Sequence, residues 1–91
     1  MINSVSIPPP LRNLTEYKAI VYIEGNTIGE LIDNLEKAHV GIRERLLDSN
    51  GNIRRFINIY VNGEDIRFLQ DKETPLKQND EVLIIPAMAG G

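Results

Sequence analysis

Cysteine and tryptophan are absent from the 91-residue sequence, and histidine occurs only once, at position 39. Without cysteine the chain forms no disulfide, no cysteine-ligated metal site and no thiol nucleophile. A single histidine likewise excludes a histidine metal cluster and a nucleophile–histidine pair. Long hydrophobic runs are missing too, since no stretch approaches the roughly 18 apolar residues of a membrane helix. The first residues also lack the basic and apolar regions of a signal peptide. We therefore expect a cytoplasmic protein that binds neither a metal nor a membrane.

Positive charge is in short supply, because 13 acidic residues outnumber 10 lysines and arginines and the net charge is −3. A chain with this balance is not expected to bind nucleic acid or an anionic membrane as its main role. The length predicts one small domain, and we expect it to be monomeric alone.

The first third of the chain has the period-two pattern of two strands. Val5 and Ile7 alternate before the run Pro8-Pro9-Pro10, which ends a strand because proline cannot donate to a sheet ladder. In Lys18–Gly25 the residues Ala19, Val21 and Ile23 share one side. Together the two segments predict an N-terminal hairpin with a long loop.

The period then changes to that of a helix. Thr27 and Glu30 have the spacing of a capping box. Four apolar residues follow at helical spacing and predict one buried stripe: Ile28, Leu31, Ile32 and Leu35. Gly41 predicts the end of this helix. A short second helix is expected at 42–48, with Leu46 and Leu47 packed under the sheet.

The last third predicts strands again. Asn62-Gly63 favours a type I′ hairpin turn after an alternating segment in which Ile57, Ile59 and Val61 share a face. Residues 78–80 predict a turn, and Glu81–Ile85 a central strand, because its residues are apolar on both faces. The order β-β-α-β-β-β gives an α+β roll. We predict a domain at 1–86 and a flexible C-terminal tail at 87–91.

Several segments together carry a resemblance that covers nearly the whole chain. They are "VSIPPPLR" at 5–12, "TIGELIDNLE" at 27–36, "GIRERLLD" at 41–48, "RFINIYVNGEDIRF" at 55–68 and "PAMAGG" at 86–91. With these motifs the sequence resembles the ubiquitin-like sulfur carriers of the MoaD/ThiS family, above all its CysO-type branch, which serves cysteine biosynthesis. The resemblance implies a β-grasp fold. In that fold, a mixed sheet of four to five strands packs on one main helix, with a short second helix, and the first and last strands are adjacent.

The resemblance also implies the chemistry. An E1-like enzyme of the MoeB/ThiF type would use ATP-Mg to adenylate the Gly91 carboxylate and would then convert it to a thiocarboxylate. The chain itself would bind no cofactor and would be a cosubstrate, not an enzyme. A pyridoxal-phosphate enzyme of the cysteine synthase type would accept the sulfur, and a metalloprotease would release the product.

Two sets of residues are the candidate sites. Gly90 and Gly91 have no Cβ and can pass close to a partner's backbone, and Ala87 and Ala89 keep the preceding segment thin. Met88, which lies between the two alanines, is expected to thread into the partner with them. An outward apolar patch is predicted as a docking surface for partners: Phe56, Tyr60, Leu83 and Ile85. Arg54, Arg55 and Arg67 would face solvent or an acidic partner, and His39 would cap the main helix.

Other functions remain open from the sequence. The same tail would suit the small subunit of molybdopterin synthase, or a sulfur carrier for thiamine or homocysteine synthesis. It would also suit a ubiquitin-like modifier that is joined to lysines of target proteins. A β-grasp binding module with an idle tail is the least specific alternative.

Overall fold

The computed structural model describes residues 2–87, which form five β-strands, two α-helices and three 3-10 helices. The strands and α-helices, in chain order, are β1 (Ile2–Ser6), β2 (Ile20–Glu24), α1 (Ile28–Ala38), α2 (Arg43–Leu46), β3 (Ile57–Val61), β4 (Glu64–Asp65) and β5 (Glu81–Pro86). The 3-10 helices are Pro9–Thr15, Ile66–Phe68 and Asp71–Glu73. This order confirms the pattern expected from the sequence.

The five strands form one mixed sheet in the order β2-β1-β5-β3-β4. β1 and β5 lie side by side and parallel, with Val5 opposite Val82. The other pairs are antiparallel. The predicted neighbourhood of the first and last strands is therefore confirmed, and β5 is the central strand.

One face of the sheet is covered by α1, and the core lies between them. Ile28, Leu31, Ile32 and Leu35 are all buried, as their helical spacing predicted. The strands contribute alternate residues to the same core: Val5, Val21, Ile23, Ile57, Ile59, Val61, Val82 and Ile84. Gly25, which follows β2, lies against α1, because a Cβ there would be 2.8 Å from the backbone nitrogen of Leu31. Only glycine fits that position without a backbone shift.

The two ends of α1 are capped in different ways. The Thr27 hydroxyl accepts a hydrogen bond of 3.2 Å from the Glu30 backbone N–H, as a capping box requires. In a complete capping box the Glu30 carboxylate would accept a hydrogen bond from the Thr27 backbone N–H. Here it accepts from the Asn26 backbone N–H, one residue earlier. At the other end, His39 is the C-cap through its backbone N–H, which donates to the Leu35 carbonyl. The helix thus ends at Ala38, before Gly41.

Glu36 anchors the connection from α1 to α2. Its carboxylate accepts hydrogen bonds from the backbone N–H groups of Gly41 and Arg43. These bonds, that of Arg43 first, lower the pKa of the Glu36 carboxyl below its ordinary value. Gly41 has a φ of +102°, which suits a residue without a Cβ.

The second helix is shorter than expected, since α2 covers one turn instead of 42–48. The reason is Asp48, whose carboxylate accepts from Asn50 and Asn52 N–H and closes a turn. Leu47 is then extended and forms a bridge with Ile53. Leu46 and Leu47 are nevertheless buried, as predicted.

Two further details differ from expectation near the N-terminus. The first strand begins at Ile2, so the buried Asn3 shares the inner face with Val5, and its amide donates to the Gly25 carbonyl. Ala19 is exposed and precedes β2 rather than sharing the inner face with Val21. The long loop of the hairpin contains a 3-10 helix that begins at Pro9, where proline needs no N–H partner.

The turn between β3 and β4 is of the predicted type. Asn62 and Gly63 have φ angles of +51° and +87°, as type I′ requires. The Asn62 side chain also donates to the Asp80 carboxylate and accepts from Glu81 N–H, which fixes the turn to the start of β5.

Candidate functional site

The face of the sheet turned away from α1 carries several large apolar side chains. Along β5, Val82 and Ile84 are each 2% exposed, whereas Leu83 and Ile85 are 40% and 41% exposed. This alternation follows from the pleat, because successive side chains of a strand point to opposite faces. The outward residues of the central strand therefore remain partly in contact with water.

The structure brings together the residues predicted for a partner-binding patch. Leu83 lies opposite Tyr60 of β3, and Ile85 lies opposite Asn58. Tyr60 is half-buried, while Phe56, which precedes β3, is 49% exposed. Phe56 lies in the turn that leads into β3, and its carbonyl accepts a hydrogen bond from the Ala87 N–H, which places its backbone next to the end of β5.

Two residues of β2 extend the patch and were missed by the sequence reasoning. Ile20 and Tyr22 point outward and are 51% and 71% exposed. Ser6 of β1 pairs with both Ile20 and Leu83, so one small side chain lies between two apolar ones. A shallow cavity of about 570 Å³ opens there, lined in part by Ser4, Ser6, Ile20 and Leu83.

The signal for these two residues was present in the sequence. The alternation that places Val21 and Ile23 inside also places their neighbours outside. We call the whole surface the open-face patch and define it by Ile20, Tyr22, Phe56, Tyr60, Leu83 and Ile85.

The chain leaves the sheet at one end of this patch. The Ala87 N–H donates a hydrogen bond of 2.6 Å to the Phe56 carbonyl, and Pro86 pairs with Ile57. Ala87 is exposed. The other predicted site residues, Met88, Ala89, Gly90 and Gly91, lie outside the described residues.

The three arginines considered from the sequence have different surroundings. The Arg67 guanidinium pairs with the Asp65 carboxylate at 2.8 Å and also donates to the Asn58 side chain. This hydrogen-bonded pair raises the pKa of Arg67 and lowers that of Asp65. Arg55 instead lies over the Phe56 ring, with its guanidinium carbon 5.4 Å from the ring centre. Arg54 donates from Nε to the Glu44 carbonyl at 2.9 Å.

Two kinds of feature are absent from residues 2–87: groups of metal-binding side chains and helices that could span a membrane. These residues contain no group of three or more histidine, aspartate or glutamate side chains placed to hold a metal ion. None of the helices in this part of the chain is long and apolar enough to cross a membrane.

Comparison with known proteins gives consistent relatives. The model of the ThiS family matches residues 5–91. The sulfur carrier protein CysO of Mycobacterium tuberculosis is 47% identical over 90 residues, which cover 97% of each chain. Small archaeal modifier protein 3 of Haloferax volcanii is 31% identical over 65 residues, 71% of this chain and 70% of the relative.

A solved structure shows the same architecture. A chain in the crystal structure of the Amycolatopsis orientalis BexX/CysO complex superposes with a TM-score of 0.92 at 44% identity. The match covers 98% of this chain and 99% of that one. The ubiquitin-like β-grasp fold expected from the sequence is confirmed.

Proposed function

The chain belongs to the ThiS family, and from this premise we propose that Gly91 is the residue on which it carries sulfur. At the level of protein class the sequence prediction is confirmed: the protein is a sulfur carrier, like the relative that is 47% identical over nearly its whole length. It is accordingly a cosubstrate of other proteins and not an enzyme.

The chemistry follows from the weak reactivity of a carboxylate. Its charge is delocalised and the group that has to leave would be oxide, so a nucleophile does not directly displace an oxygen of the carboxylate. An E1-like enzyme of the MoeB/ThiF type would bind ATP-Mg, and an oxygen of the Gly91 carboxylate would attack the α-phosphorus and release pyrophosphate. Hydrosulfide would then attack the carbonyl carbon of the acyl-adenylate and release AMP, which leaves a thiocarboxylate on Gly91.

The position of the last described residues supports this proposal. β5 is the central strand, and its end is tied to β3 by the bond from Ala87 to Phe56. The fold thus anchors the chain up to that point, and the division into a domain at 1–86 and a tail at 87–91 is part of the proposal. Gly90 and Gly91 have no side chain to obstruct a narrow channel that leads to a nucleotide.

The open-face patch is the surface that we assign to the activating and sulfur-accepting enzymes. Phe56 and Ile85 of the patch lie beside the point where the chain leaves the sheet, so a protein that docks there can also reach the terminal residues. Aromatic residues are enriched in protein interfaces, and a contiguous exposed apolar patch marks an interaction site. The CysO of the A. orientalis structure is in complex with a second protein, BexX, and we infer that this chain also works through protein contacts.

The sulfur is proposed to enter cysteine biosynthesis in the cytoplasm, in keeping with the CysO name of the similar carrier. A pyridoxal-phosphate enzyme of the cysteine synthase type would present an activated serine skeleton. The thiocarboxylate sulfur would bond to the β-carbon of this skeleton, from which the activated side-chain oxygen departs with its activating group. An S-to-N shift of the acyl group would then leave a cysteinyl amide on Gly91. A metalloprotease would then hydrolyse that amide and release cysteine.

Intact-mass measurement tests the first step. The full chain is incubated with the E1-like enzyme of the same organism, ATP-Mg and sulfide. We expect the mass gained when sulfur replaces oxygen, and we expect no gain without ATP. A matched variant, Gly90→Val, should keep the fold and lose most of the product, because a β-branched residue restricts the backbone next to the reacting group. The proposal is contradicted if the enzyme adds sulfur to another carrier protein in the same assay but leaves the mass of the wild-type chain unchanged.

A protein modifier is the second candidate, because small archaeal modifier protein 3 is 31% identical over 71% of the chain. A modifier forms an amide between its terminal carboxyl group and a lysine of a target. Cell extract separated by mass and probed for this chain distinguishes the two functions. A free thiocarboxylate form supports the carrier, and a ladder of heavier conjugates that Gly91 deletion removes supports the modifier.

A further inference from the structure

Five of the six arginines in residues 2–87 fall into two groups, one paired with carboxylates and one bound to carbonyl groups or a ring. Arg43 and Arg67 are each paired with a carboxylate, at 3.0 Å from Asp33 and 2.8 Å from Asp65. The charge of these two guanidinium groups is therefore compensated within the fold.

Three other arginines are held without an anion. Arg12 donates from Nε to the Ile7 carbonyl at 2.9 Å, and Arg54 donates to the Glu44 carbonyl at the same distance. Arg55 lies over the Phe56 ring. Within residues 2–87 none of the three forms an ion pair, and neither does Lys18. A carbonyl or a ring orients a guanidinium but leaves its full positive charge in place.

All four cations lie at the end of the sheet where the chain leaves β5. Arg12 and Lys18 belong to the connection that follows β1, and β1 runs parallel to β5. Arg54 and Arg55 immediately precede β3, which runs antiparallel to β5, and Phe56 receives the bond from Ala87. The four residues therefore flank the exit of the chain from both neighbouring strands. We call them the basic cluster.

The other end of the sheet has the opposite sign. The connection at 7–19 and the residues at 54–56 contain four cations and one anion, Glu16. At the far end, the segments at 24–27, 62–64 and 77–81 contain four anions and one cation, Lys77. The anions are Glu24, Glu64, Asp80 and Glu81. These segments therefore differ in the sign of their charge along β5. Outside them, Glu44 and Asp48 line a cavity together with Arg54.

We propose that the basic cluster docks against an acidic rim around the opening through which the activating enzyme admits residues 88–91. The proposal rests on the function given above and names the surface chemistry of that partner. Such a difference in charge turns the molecule so that the end of the sheet at Ala87 approaches a negatively charged entrance first. Such steering acts on the rate of encounter and weakens with salt.

Charge reversal with a matched control tests the proposal. Lys18→Glu combined with Arg55→Glu removes two cations of the basic cluster, and both side chains are exposed. Lys77→Glu makes the same kind of change at the opposite end. Thiocarboxylation of the full chain by the E1-like enzyme is measured as kcat/KM at low and high ionic strength, and thermal melting checks each fold. If the double variant does not fold, Lys18→Glu alone is used.

We expect the double variant to lose about tenfold in kcat/KM at low salt with kcat unchanged, and Lys77→Glu to stay within about twofold of wild type. The wild-type value should fall with salt, and the value of the double variant should fall less. Equal behaviour of the double variant and Lys77→Glu would overturn the docking proposal while sulfur transfer itself persists. A wild-type chain that gains no sulfur would overturn the proposed function and this proposal together.

Discussion

The inner and outer faces of β5 contain similar residues in very different surroundings. Ile84 is 2% exposed in the core under α1, and its neighbour Ile85 is 41% exposed on the open-face patch. The strand thus places two adjacent isoleucines in different surroundings: Ile84 lies in the protein interior, and Ile85 is in contact with water. The inner one contributes to folding through the area it buries, and the outer one contributes little to it.

This difference identifies the residues that are available for a partner. An apolar side chain that the fold does not need remains on the surface at some risk of aggregation. Here six such residues share the outer side of the sheet, and Phe56 and Ile85 are the ones next to the exit of the chain. Other exposed apolar residues, such as Tyr17 and Phe68, lie outside this patch. The inner face accounts for the fold, and the outer face is the surface on which a function can be placed without loss of stability.

The largest expected effect is a difference in stability between two variants at adjacent positions of β5, one on each face of the sheet. Ile84→Ala should destabilise the protein by about 2–4 kcal/mol, because it leaves a cavity in a packed core. Ile85→Ala removes the same atoms from the surface and should cost less than about 1 kcal/mol. Urea unfolding of both variants measures the two values. Equal losses would mean that the outer face is also part of the folded core.

A second experiment asks whether the outer face has a role in binding. Leu83→Ser should lower kcat/KM for thiocarboxylation by about tenfold, the equivalent of ~1.4 kcal/mol, because it removes the centre of the open-face patch. The matched control is Leu69→Ser, which makes the same change at a residue outside the patch with the same exposure, 41% against 40%. The control should behave like wild type. A similar loss in both variants would point to a general effect of exposed leucines.

The smallest expected effect concerns a polar contact on the outer face, the pair of Asp65 with Arg67. Because that pair lowers the pKa of Asp65, it stabilises the fold at pH values above the ordinary value of 3.8 and loses its effect as the pH falls through the folded-state pKa. Asp65→Asn should therefore be slightly less stable than wild type near pH 7 and equal to it in strong acid. Thermal melting from pH 7 to pH 2 checks this, and a constant difference across that range would contradict the assignment.

Most of the fold could be predicted because local and long-range signals agree. The stripe from Ile28 to Leu35, the Asn62-Gly63 turn and the alternation of β3 each specify one structure. The length of α2 could not be read in the same way. A side chain, that of Asp48, captures two backbone N–H groups and ends the helix, and nothing in the apolar pattern reveals this.

The site was predictable in part for the same reason. The outward positions of Tyr60 and Leu83 follow from strand parity alone. The contribution of Ile20 depends on Ser6 lying between it and Leu83, which is a matter of register across three strands. The separation of Arg67 from Arg54 and Arg55 also depends on tertiary structure, since Arg67 is paired with an aspartate and the other two are not.

The parallel pairing of β1 with β5 has a consequence for synthesis. Partners such as Ser4 and Glu81 come from opposite ends of the polypeptide, and the closing of so large a loop is slow. During synthesis the sheet lacks its central strand until β5 has left the ribosome, because β5 is the last of the described strands to be made. A nascent or truncated polypeptide would consequently have no assembled patch beside its C-terminus. If the open-face patch receives the activating enzyme as proposed, a polypeptide in which β5 has not joined the sheet is not loaded with sulfur.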